Sequence, residues 1–410
     1  MRCSGERRAA RPGEGDLLSE KALPAVAQVM ECYLGLTETF IHEYLAAFRR
    51  VRCVVIARRL ENLQRFPLPS GTALHQSPPR RGSPAWVVAA LRRRRRGGEP
   101  HLEGLLQSES ARLMHAHFGP AACQLLETRR RSRLPLVTSF YGYDASMANV
   151  VEEFRDRYRR LFDVGDAFLA EGPAMKRRLE DLGCPSSKLR IQRIAIDPMR
   201  YRFRIREDPG EGPLNLLQCG RMVPKKGYGL TLRALAEARR HDRRLRLKVI
   251  GDGPERPQIE RDIRDLDLAG CVELLGWQPR EVFIEEMDRA HIYVQPSVTA
   301  PDGDSEGGAP TALLEAQACG LPVLTTRHAD IPEVVREGDS ALLSNEGDVG
   351  GLAANLSLLA SDSRRWATMG RAGRAHVEAR HDVRRLATDL EILYATIAET
   401  GKLDLVPQER

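Results

Sequence analysis

A glycine-rich segment lies between two glutamates, Glu306 and Glu315, and these residue types together could bind a charged, hydroxyl-rich ligand. Residues 302–308 contain too many glycines and aspartates for a helix or a strand, so we expect a loop there. Residues 311–319 carry leucine and alanine at helical spacing, and Pro310 suits a first helical turn. A loop that leads into a helix N-terminus presents unpaired N–H groups, and it therefore predicts an anion site.

The two glutamates restrict what that anion can be attached to. A carboxylate next to a phosphate would repel it, so Glu306 and Glu315 are better suited to neutral groups such as a sugar or a ribose. A phosphate flanked by two hydroxyl-rich groups is the composition of a nucleotide sugar. The predicted anion site consists of the helix start near Thr311 and the backbone N–H groups of Gly307, Gly308 and Ala309.

The same segment carries a resemblance to a known family. Residues 306–323, EGGAPTALLEAQACGLPV, resemble the two-glutamate motif of family 4 glycosyltransferases, which are retaining enzymes of the GT-B fold. Seven residues usually separate the glutamates, whereas eight separate them here. Pro310 keeps its usual distance from Glu315, so we infer one extra loop residue and a helix in register. The resemblance implies that Glu306 orients the donor sugar and that Glu315 binds the ribose hydroxyls.

A second segment resembles the part of the family that holds the donor diphosphate. Residues 219–227, CGRMVPKKG, are similar to its Gly-Arg…Lys-Gly signature, which implies donor-binding roles for Gly220, Arg221 and Lys226. A guanidinium and an ammonium can hold two phosphates and neutralise a departing nucleoside diphosphate. Together with Glu306, Arg221 and Lys226 are therefore the predicted catalytic residues.

Two further donor-site positions follow from the resemblance. Gly251 opens the turn after an apolar run at residues 245–250, and the family typically has a turn of this kind there. Trp277 follows the next predicted strand, where a loop usually borders the nucleobase. Trp277 could either stack on the base or have a plain packing role, and both interpretations remain open.

Polar clusters at the ends of two predicted strands indicate an acceptor site. Residues 113–118 and 136–140 are apolar runs, and ligands of open α/β sheets collect outside the carboxyl ends of the strands. His117, Tyr141 and Asp144 are therefore predicted to face the acceptor. The family often has a histidine where Tyr141 stands, and this change removes a side chain suited to proton transfer.

A third resemblance lies near the N-terminus. Residues 36–41, LTETFI, are similar to the Ser-Glu-Thr-Phe-Ile signature that faces the interdomain cleft of the family. Thr37 and Glu38 are therefore candidate cleft residues. The same residues are also a good helix N-cap with an acidic first turn, and both interpretations remain open.

Length and composition predict an α/β protein with two domains. A chain of 410 residues is too long for a single hydrophobic core, so two domains are expected. Contents of 42% apolar and 29% charged residues are ordinary for a globular protein. The resemblance implies a GT-B fold, in which two Rossmann-like, doubly wound parallel-sheet domains face each other across a cleft. We expect a variable tail at 1–20, an acceptor-binding domain at 21–200, a linker at 201–213, a nucleotide-sugar-binding domain at 214–380, and a terminal helix at 381–410 that crosses back to the first domain.

Cysteine use and the N-terminus predict a cytoplasmic protein. The eight cysteines contain no CxxC pair, which suits reduced thiols better than disulfides or zinc. The first residues lack the apolar core of a secretory signal, and no run reaches the roughly 18 apolar residues of a membrane span.

Charge distribution suggests contact with an anionic membrane surface. Residues 1–200 contain 34 basic and 22 acidic residues, whereas the remainder is mildly acidic. An apolar patch at 84–90 contains Trp86 and is followed by a basic run from Arg92 to Arg96, a combination typical of membrane-surface segments. A solvated loop is the alternative. Nucleic-acid binding is not favoured, because no aromatic ladder or recognised module accompanies the basic run.

Other chemistries are less consistent with the sequence. Asp302 and Asp304 form an Asp-x-Asp pattern, but a bound cation would compete with Arg221 and Lys226 for one diphosphate, so we predict no metal and no cofactor. Dinucleotide, P-loop and nucleophile-elbow motifs are absent.

The favoured function is transfer of a sugar from a UDP- or GDP-sugar to a lipid-linked or polysaccharide acceptor in exopolysaccharide or cell-envelope synthesis. The alternatives are an epimerase or hydrolase of the same fold and an inactive partner subunit.

Overall fold

Two parallel β-sheets, of seven and six strands, organise the described part of the chain. The computed structural model describes residues 23–96, 99–401 and 403. The first sheet has the order β3-β2-β1-β4-β5-β6-β7. Its strands are β1 (Ala25–Tyr33), β2 (Arg52–Leu60), β3 (Ala73–Gln76), β4 (Ala111–His117), β5 (Leu136–Ser139), β6 (Ala167–Ala170) and β7 (Leu189–Ile191).

The second sheet has the order β10-β9-β8-β11-β12-β13. Its strands are β8 (Leu214–Cys219), β9 (Leu245–Ile250), β10 (Val272–Gly276), β11 (Ile292–Gln295), β12 (Val323–Thr326) and β13 (Ala341–Ser344). Strands β11 and β12 are buried at every position, as expected of parallel strands covered by helices on both faces.

Helices connect the strands and cover both sheets. In the first domain they are α1 (Thr39–Ala47), α2 (Pro84–Arg96), α3 (Pro100–Ser108), α4 (Gly119–Cys123), α5 (Leu126–Ser132), α6 (Tyr143–Ser146), α7 (Ala148–Val164) and α8 (Pro173–Asp181). The helices that follow β8 in the chain are α9 (Tyr228–Ala238), α10 (Arg256–Asp265), α11 (Arg280–Arg289), α12 (Thr311–Ala318), α13 (Ile331–Val334), α14 (Val349–Ser361), α15 (Arg364–Arg380) and α16 (Val383–Thr400).

The last helix belongs to the core of the first domain. Leu386, Leu390 and Tyr394 of α16 are buried together with residues of β1 and α1. The chain therefore returns to the first domain after completing the second. Residues 201–213 between the two sheets contain neither helix nor strand.

Three details of the first domain differ from the sequence predictions. Residues 66–100 are rich in proline, glycine and arginine, which predicts an irregular excursion, but they contain the edge strand β3 and helix α2. The sequence of residues 158–182 predicts helices, but β6 lies between α7 and α8. Residues 189–196, LRIQRIAI, predict one strand, but β7 ends at Ile191. Runs of four apolar residues carry no periodicity that separates a short strand from a buried helix segment.

Other predictions concern the ends of the chain, its cysteines and membrane spans. The tail at 1–20 lies outside the described residues. All seven cysteines of the described part are free thiols. Among the helices of the described residues, none combines the length and the apolar character that a membrane span needs.

Candidate functional site

A cleft of about 840 Å³ lies between the carboxyl ends of the two sheets. The first domain contributes residues that follow β1 and β5, and the second contributes residues that follow β8 and β11. Its size lies within the range of small-molecule sites. Thirteen of the predicted site residues line this cleft: Thr37, Glu38, Tyr141, Gly220, Arg221, Lys226, Trp277, Glu306, Gly307, Gly308, Ala309, Thr311 and Glu315.

Lys226 and Glu306 form an ion pair on the wall of the second domain. The Lys226 ammonium lies 2.8 Å from Oε1 of Glu306 and 2.9 Å from Oε2. Ser297 donates a further hydrogen bond to Oε1 at 2.9 Å. Burial alone would raise the pKa of Glu306, but the charges of Lys226 and Lys225 hold that pKa below its ordinary value. Glu306 is therefore ionised, and Arg221, which is exposed, adds a second cation to the same wall.

The glycine-rich loop leads into α12 as predicted, since the helix begins at Thr311 with Pro310 as its N-cap. Lys225, which the sequence did not single out, is buried and holds this loop. Its ammonium lies 2.9 Å from Oδ1 of Asp304 and 3.0 Å from the carbonyl oxygen of Ser305. Both lysines line the cleft, and Lys225 supports the loop while Lys226 pairs with Glu306.

Glu315 is held by two residues that the sequence analysis missed. The Tyr201 hydroxyl donates to Oε1 of Glu315 at 2.6 Å, and Nη1 of Arg280 lies 3.3 Å from the same oxygen. The Arg280 guanidinium also lies 5.5 Å from the centre of the Tyr201 ring. Glu315 therefore faces the cleft as part of a charged cluster. Arg280 begins α11 directly after the short loop that follows β10, and this position near the end of a strand was the available signal.

Gly251 lies behind the cleft wall and supports Gly220. A Cβ atom on Gly251 would stand 1.9 Å from the carbonyl oxygen of Gly220, and Gly251 has a φ of +139°. A side chain there would displace the loop that carries Arg221. The structure therefore gives Gly251 a packing contact with the predicted donor loop, and it is not among the residues lining the cleft.

At the mouth of the cleft, Trp277 meets the first domain. Its side chain is 40% exposed, and the Arg65 guanidinium lies 5.4 Å from the ring centre. Glu38 lines the opposite side, where its Oε2 accepts the Gly35 N–H at 2.8 Å. Burial raises the pKa of Glu38, and the charge of Arg221 opposes that rise. Helix α1 begins at Thr39 with Glu38 as its N-cap residue, but the Glu38 side chain makes no capping hydrogen bond and the first turn has no acidic residue, so the predicted side-chain cap is wrong.

Tyr141 lines the cleft, whereas His117 lies beneath it. The Tyr141 hydroxyl lies 2.7 Å from Nδ1 of His117, whose Nε2 lies 2.9 Å from Oε1 of Gln28. The Gln28 oxygen can only accept, so His117 donates from Nε2, and Nδ1 accepts from Tyr141. Burial lowers the pKa of His117 to about 3. This neutral ring fixes the Tyr141 hydroxyl inside the first domain.

Asp144 is fully buried and is not among the residues lining the cleft. Its carboxylate accepts the backbone N–H groups of Gly119 at 2.9 Å and of Tyr141 and Gly142 at 3.1 Å each. Burial raises the pKa of Asp144 to about 6, although these hydrogen bonds act in the opposite direction. Its contacts shape the turn that carries Tyr141.

Glu171 is a further cleft residue that the sequence did not indicate. It follows β6, is 7% exposed, and lines the cleft between the first domain and the glycine-rich loop. A Cβ on Gly308 would stand 2.4 Å from Oε2 of Glu171. Burial raises the pKa of Glu171 well above its ordinary value, and the charges of Asp330 and Asp144 raise it further.

The Asp-x-Asp pattern is engaged within the loop. Asp304 is paired with Lys225, and Oδ1 of Asp302 accepts the Asp304 N–H at 3.0 Å. In the described ranges, no group of three or more histidine, cysteine, aspartate or glutamate side chains is placed to hold a metal ion. Metal independence remains a prediction.

Comparison with known proteins identifies the class. The family profile described as Glycosyltransferase Family 4 matches residues 37–200, and the profile described as Glycosyl transferases group 1 matches residues 213–362. The amylovoran biosynthesis glycosyltransferase AmsK of Erwinia amylovora is 34% identical over 290 residues, which cover 69% of this chain and 71% of AmsK. The putative colanic acid biosynthesis glycosyltransferase WcaL of Escherichia coli is 32% identical over 280 residues, or 68% of each chain.

A solved structure has the same architecture. HepE from Anabaena, solved with UDP and glucose, superposes with a TM-score of 0.72 at 17% identity and covers 91% of this chain and all of HepE. The two facing parallel-sheet domains define a GT-B fold, so the fold prediction is confirmed. The chain belongs to glycosyltransferase family 4, and it is a glycosyltransferase.

Proposed function

We propose that this glycosyltransferase takes a sugar from a UDP- or GDP-sugar and transfers it with retention of configuration. The observation that carries the proposal is the meeting of Arg221, Lys226 and Glu306 on one wall of the cleft, next to the N-terminus of α12. The two cations and the N–H groups of the loop suit a diphosphate. Glu306 suits the sugar hydroxyls, and Glu315 suits the ribose.

The proposed reaction is a front-face displacement. The bond between the anomeric carbon and the donor phosphate oxygen breaks, and the acceptor hydroxyl oxygen bonds to that carbon from the same face. The departing phosphate takes the hydroxyl proton, and Arg221 and Lys226 stabilise the charge that develops on the diphosphate. The Tyr141 hydroxyl is bound to His117 at 2.7 Å, so this step uses no side-chain base at that position.

For the acceptor, we propose a lipid-linked or polysaccharide glycan of exopolysaccharide or cell-envelope synthesis. AmsK and WcaL are named for the synthesis of such polysaccharides, which supports this choice. On the acceptor side, the ring of Tyr143 is 39% exposed at the cleft and lies 5.2 Å from the ring of Phe118. Exposed aromatic rings of this kind suit the apolar faces of sugars.

We further propose that α2 contacts an anionic membrane surface from the cytoplasmic side. Val87, Val88 and Leu91 are 46%, 46% and 56% exposed, and Trp86 is half-buried beside them. The arginines from Arg92 to Arg96 continue the helix, although their side chains lie outside the described part. Exposed apolar residues followed by basic ones suit the lipid interface.

Vesicle co-sedimentation tests this membrane proposal. Wild type should sediment with phosphatidylglycerol vesicles at low salt and remain in solution with phosphatidylcholine vesicles. Val88→Glu should weaken the binding, whereas Ile392→Glu, an equally exposed apolar position on α16, should not. Equal behaviour of both variants would contradict a role for α2.

The experiment that tests the donor site is a thermal-shift panel of UDP, GDP, ADP and dTDP. A ligand at a hundred times its dissociation constant should stabilise the protein by roughly 2.7 kcal/mol. We expect one nucleotide to shift wild type and to shift Glu315→Ala much less. Glu286→Ala is the matched control, because Glu286 is a buried, ion-paired glutamate of the same domain outside the cleft. No shift of wild type with any nucleotide would favour the inactive partner subunit.

A further inference from the structure

His328 and Glu346 contact the Glu306 loop from behind the cleft. His328 follows β12, which pairs with β11, and Glu346 follows β13, the strand beyond β12. Both residues therefore lie at the carboxyl ends of strands on the side of the sheet where β11 leads into the loop. His328 is 2% exposed. Both residues line a cavity of about 180 Å³ on the far side of the loop, and neither is among the residues lining the cleft.

The hydrogen bonds of these residues fix the loop at two points. The Glu306 backbone N–H donates to Nε2 of His328 at 3.1 Å, so Nε2 carries no proton. Nδ1 then carries the ring proton and donates it to Oε1 of Glu346 at 2.7 Å. Oε2 of Glu346 accepts the Thr299 N–H at 2.8 Å. One carboxylate thus sets the histidine tautomer and also holds the start of the loop.

The His328 contact differs from the other contacts of Glu306. Lys226 and Ser297 bind its carboxylate, whereas His328 binds its backbone. Loss of the histidine would leave every proposed donor-binding side chain in place. It would free the peptide that carries Glu306, in a loop that has one residue more than the family usually has.

We propose that His328 and Glu346 are positioning residues, which set the backbone of Glu306 so that its carboxylate meets Lys226 and the donor sugar. This inference rests on the proposed function, because the placement of Glu306 affects turnover only if Glu306 orients a donor. The diphosphate is held mainly by Arg221 and Lys226. Loss of the positioning contact should therefore affect turnover more than nucleotide binding.

The test measures two properties of His328→Ala, His328→Gln and Glu346→Gln. One is the dissociation constant for UDP and GDP by calorimetry. The other is the release of UDP or GDP from UDP-glucose, UDP-galactose and GDP-mannose in the presence of extracted membrane lipids. His328→Ala should lower turnover about 10- to 100-fold, as small misplacements of reacting groups do, with nucleotide affinity changed less than about threefold. His328→Gln offers an amide oxygen to the Glu306 N–H and should recover most of the loss.

His291→Ala is the matched control. Nδ1 of His291 also accepts a backbone N–H, from Asn215 at 3.0 Å, in the same domain but at the amino end of β11. This variant should lose thermal stability and keep its turnover. Equal turnover of His328→Ala and His291→Ala would overturn the proposal, as would a His328→Gln variant no better than His328→Ala.

Two further outcomes are distinguishable. If His328→Ala does not fold, Glu346→Gln tests the positioning role instead, because glutamine keeps the shape of the glutamate side chain. This variant should lower turnover and leave nucleotide affinity unchanged. Wild-type turnover in that variant would then overturn the inference. If wild type binds neither nucleotide and turns over no donor of the panel, the proposed function itself fails, and the positioning role fails with it.

Discussion

Arg221 and Lys226 share one wall of the cleft but differ in what they contact. Arg221 is exposed, whereas the Lys226 ammonium is bound to the buried Glu306. We expect Arg221→Ala to lower turnover roughly 10²- to 10³-fold, the loss typical of a removed charge-stabilising donor. Its melting temperature should stay near that of wild type, since exposed side chains contribute little to stability.

Lys226→Ala should show the same loss of turnover together with a loss of stability. It removes the ion-pair partner of the buried Glu306, and loss of one partner of a buried pair costs about 3 kcal/mol. Urea unfolding beside steady-state kinetics separates the two effects. Wild-type turnover in both variants would contradict the donor assignment, and equal stability of both would contradict the ion pair.

Because the pKa of Glu171 is raised, we expect its substitution to stabilise the protein in a pH-dependent way. Burial raises its pKa in the folded protein well above its ordinary value. In the unfolded chain the carboxyl ionises near its ordinary pKa, so the folded state is penalised increasingly as the pH rises above that value. Glu171→Gln keeps the shape and removes the titration.

The variant should therefore be more stable than wild type at about pH 7.5, with a smaller difference at about pH 5. Melting temperatures of the two proteins at these pH values check the sign. A gain that is equal at both pH values, or larger at the lower one, would show that the carboxyl is not held neutral.

Single residues show where sequence reasoning succeeds. The family resemblance singled out Arg221, Lys226 and Glu306, and these three residues do meet on one wall of the cleft. Their partners were not predictable in this way. Tyr201 lies 114 residues from Glu315, and His328 lies 22 residues from Glu306, beyond helix α12 and strand β12. Each looks like an ordinary polar side chain until the fold brings it into contact.

At the level of elements, the sequence around each apolar run determined which strands could be predicted. The six-residue strand β9 has the bounds 245–250 that the apolar run predicted, and α12 begins at the predicted Thr311. The four-residue strands β3 and β6 were missed. Strand β3 lies at the sheet edge in a segment rich in proline and glycine, and β6 is a short apolar run between two helices. Both are defined by their pairing with neighbouring strands, β2 and β5, and sequence periodicity contains no information on that pairing.

Helix α8 depends on the second domain for its cap. Oδ1 of Asp330 accepts the Ala174 N–H at 2.6 Å, and Oδ2 accepts the Met175 N–H at 3.1 Å. Asp330→Ala should lower the free energy of unfolding by about 1 kcal/mol, the usual cost of losing a helix cap. It should also loosen the domain contact, because the cap comes from the other domain.

Asp348→Ala is the control for Asp330→Ala. Asp348 caps α14 inside the second domain, where it accepts the Gly351 N–H at 2.8 Å. Both variants should lose similar stability in urea. Small-angle scattering should show a larger radius of gyration for Asp330→Ala alone, and an unchanged radius in both would show that this contact does not hold the domains together.

At the scale of the whole molecule, the family resemblance predicted two facing domains but not how closely they meet. The glycine-rich loop of the second domain contacts the first domain directly. A Cβ on Gly307 would stand 2.2 Å from Cα of Gly142, the residue after Tyr141. Bare backbone on both sides therefore brings the proposed donor loop next to the proposed acceptor site.

We expect Gly307→Ala to push the domains apart by the width of a methyl group and to lower transfer at least about 10-fold, since reacting groups tolerate little misplacement. Binding of UDP or GDP should change less, because Arg221 and Lys226 belong to one domain. Gly270→Ala is the control, as a Cβ at Gly270 meets no atom of the described structure within 4 Å. The measurements are the nucleotide affinity of both variants by calorimetry and their rates of sugar transfer. If Gly307→Ala transfers sugar as fast as Gly270→Ala, the close approach of the two backbones is a packing feature, and closure of the cleft does not limit the reaction.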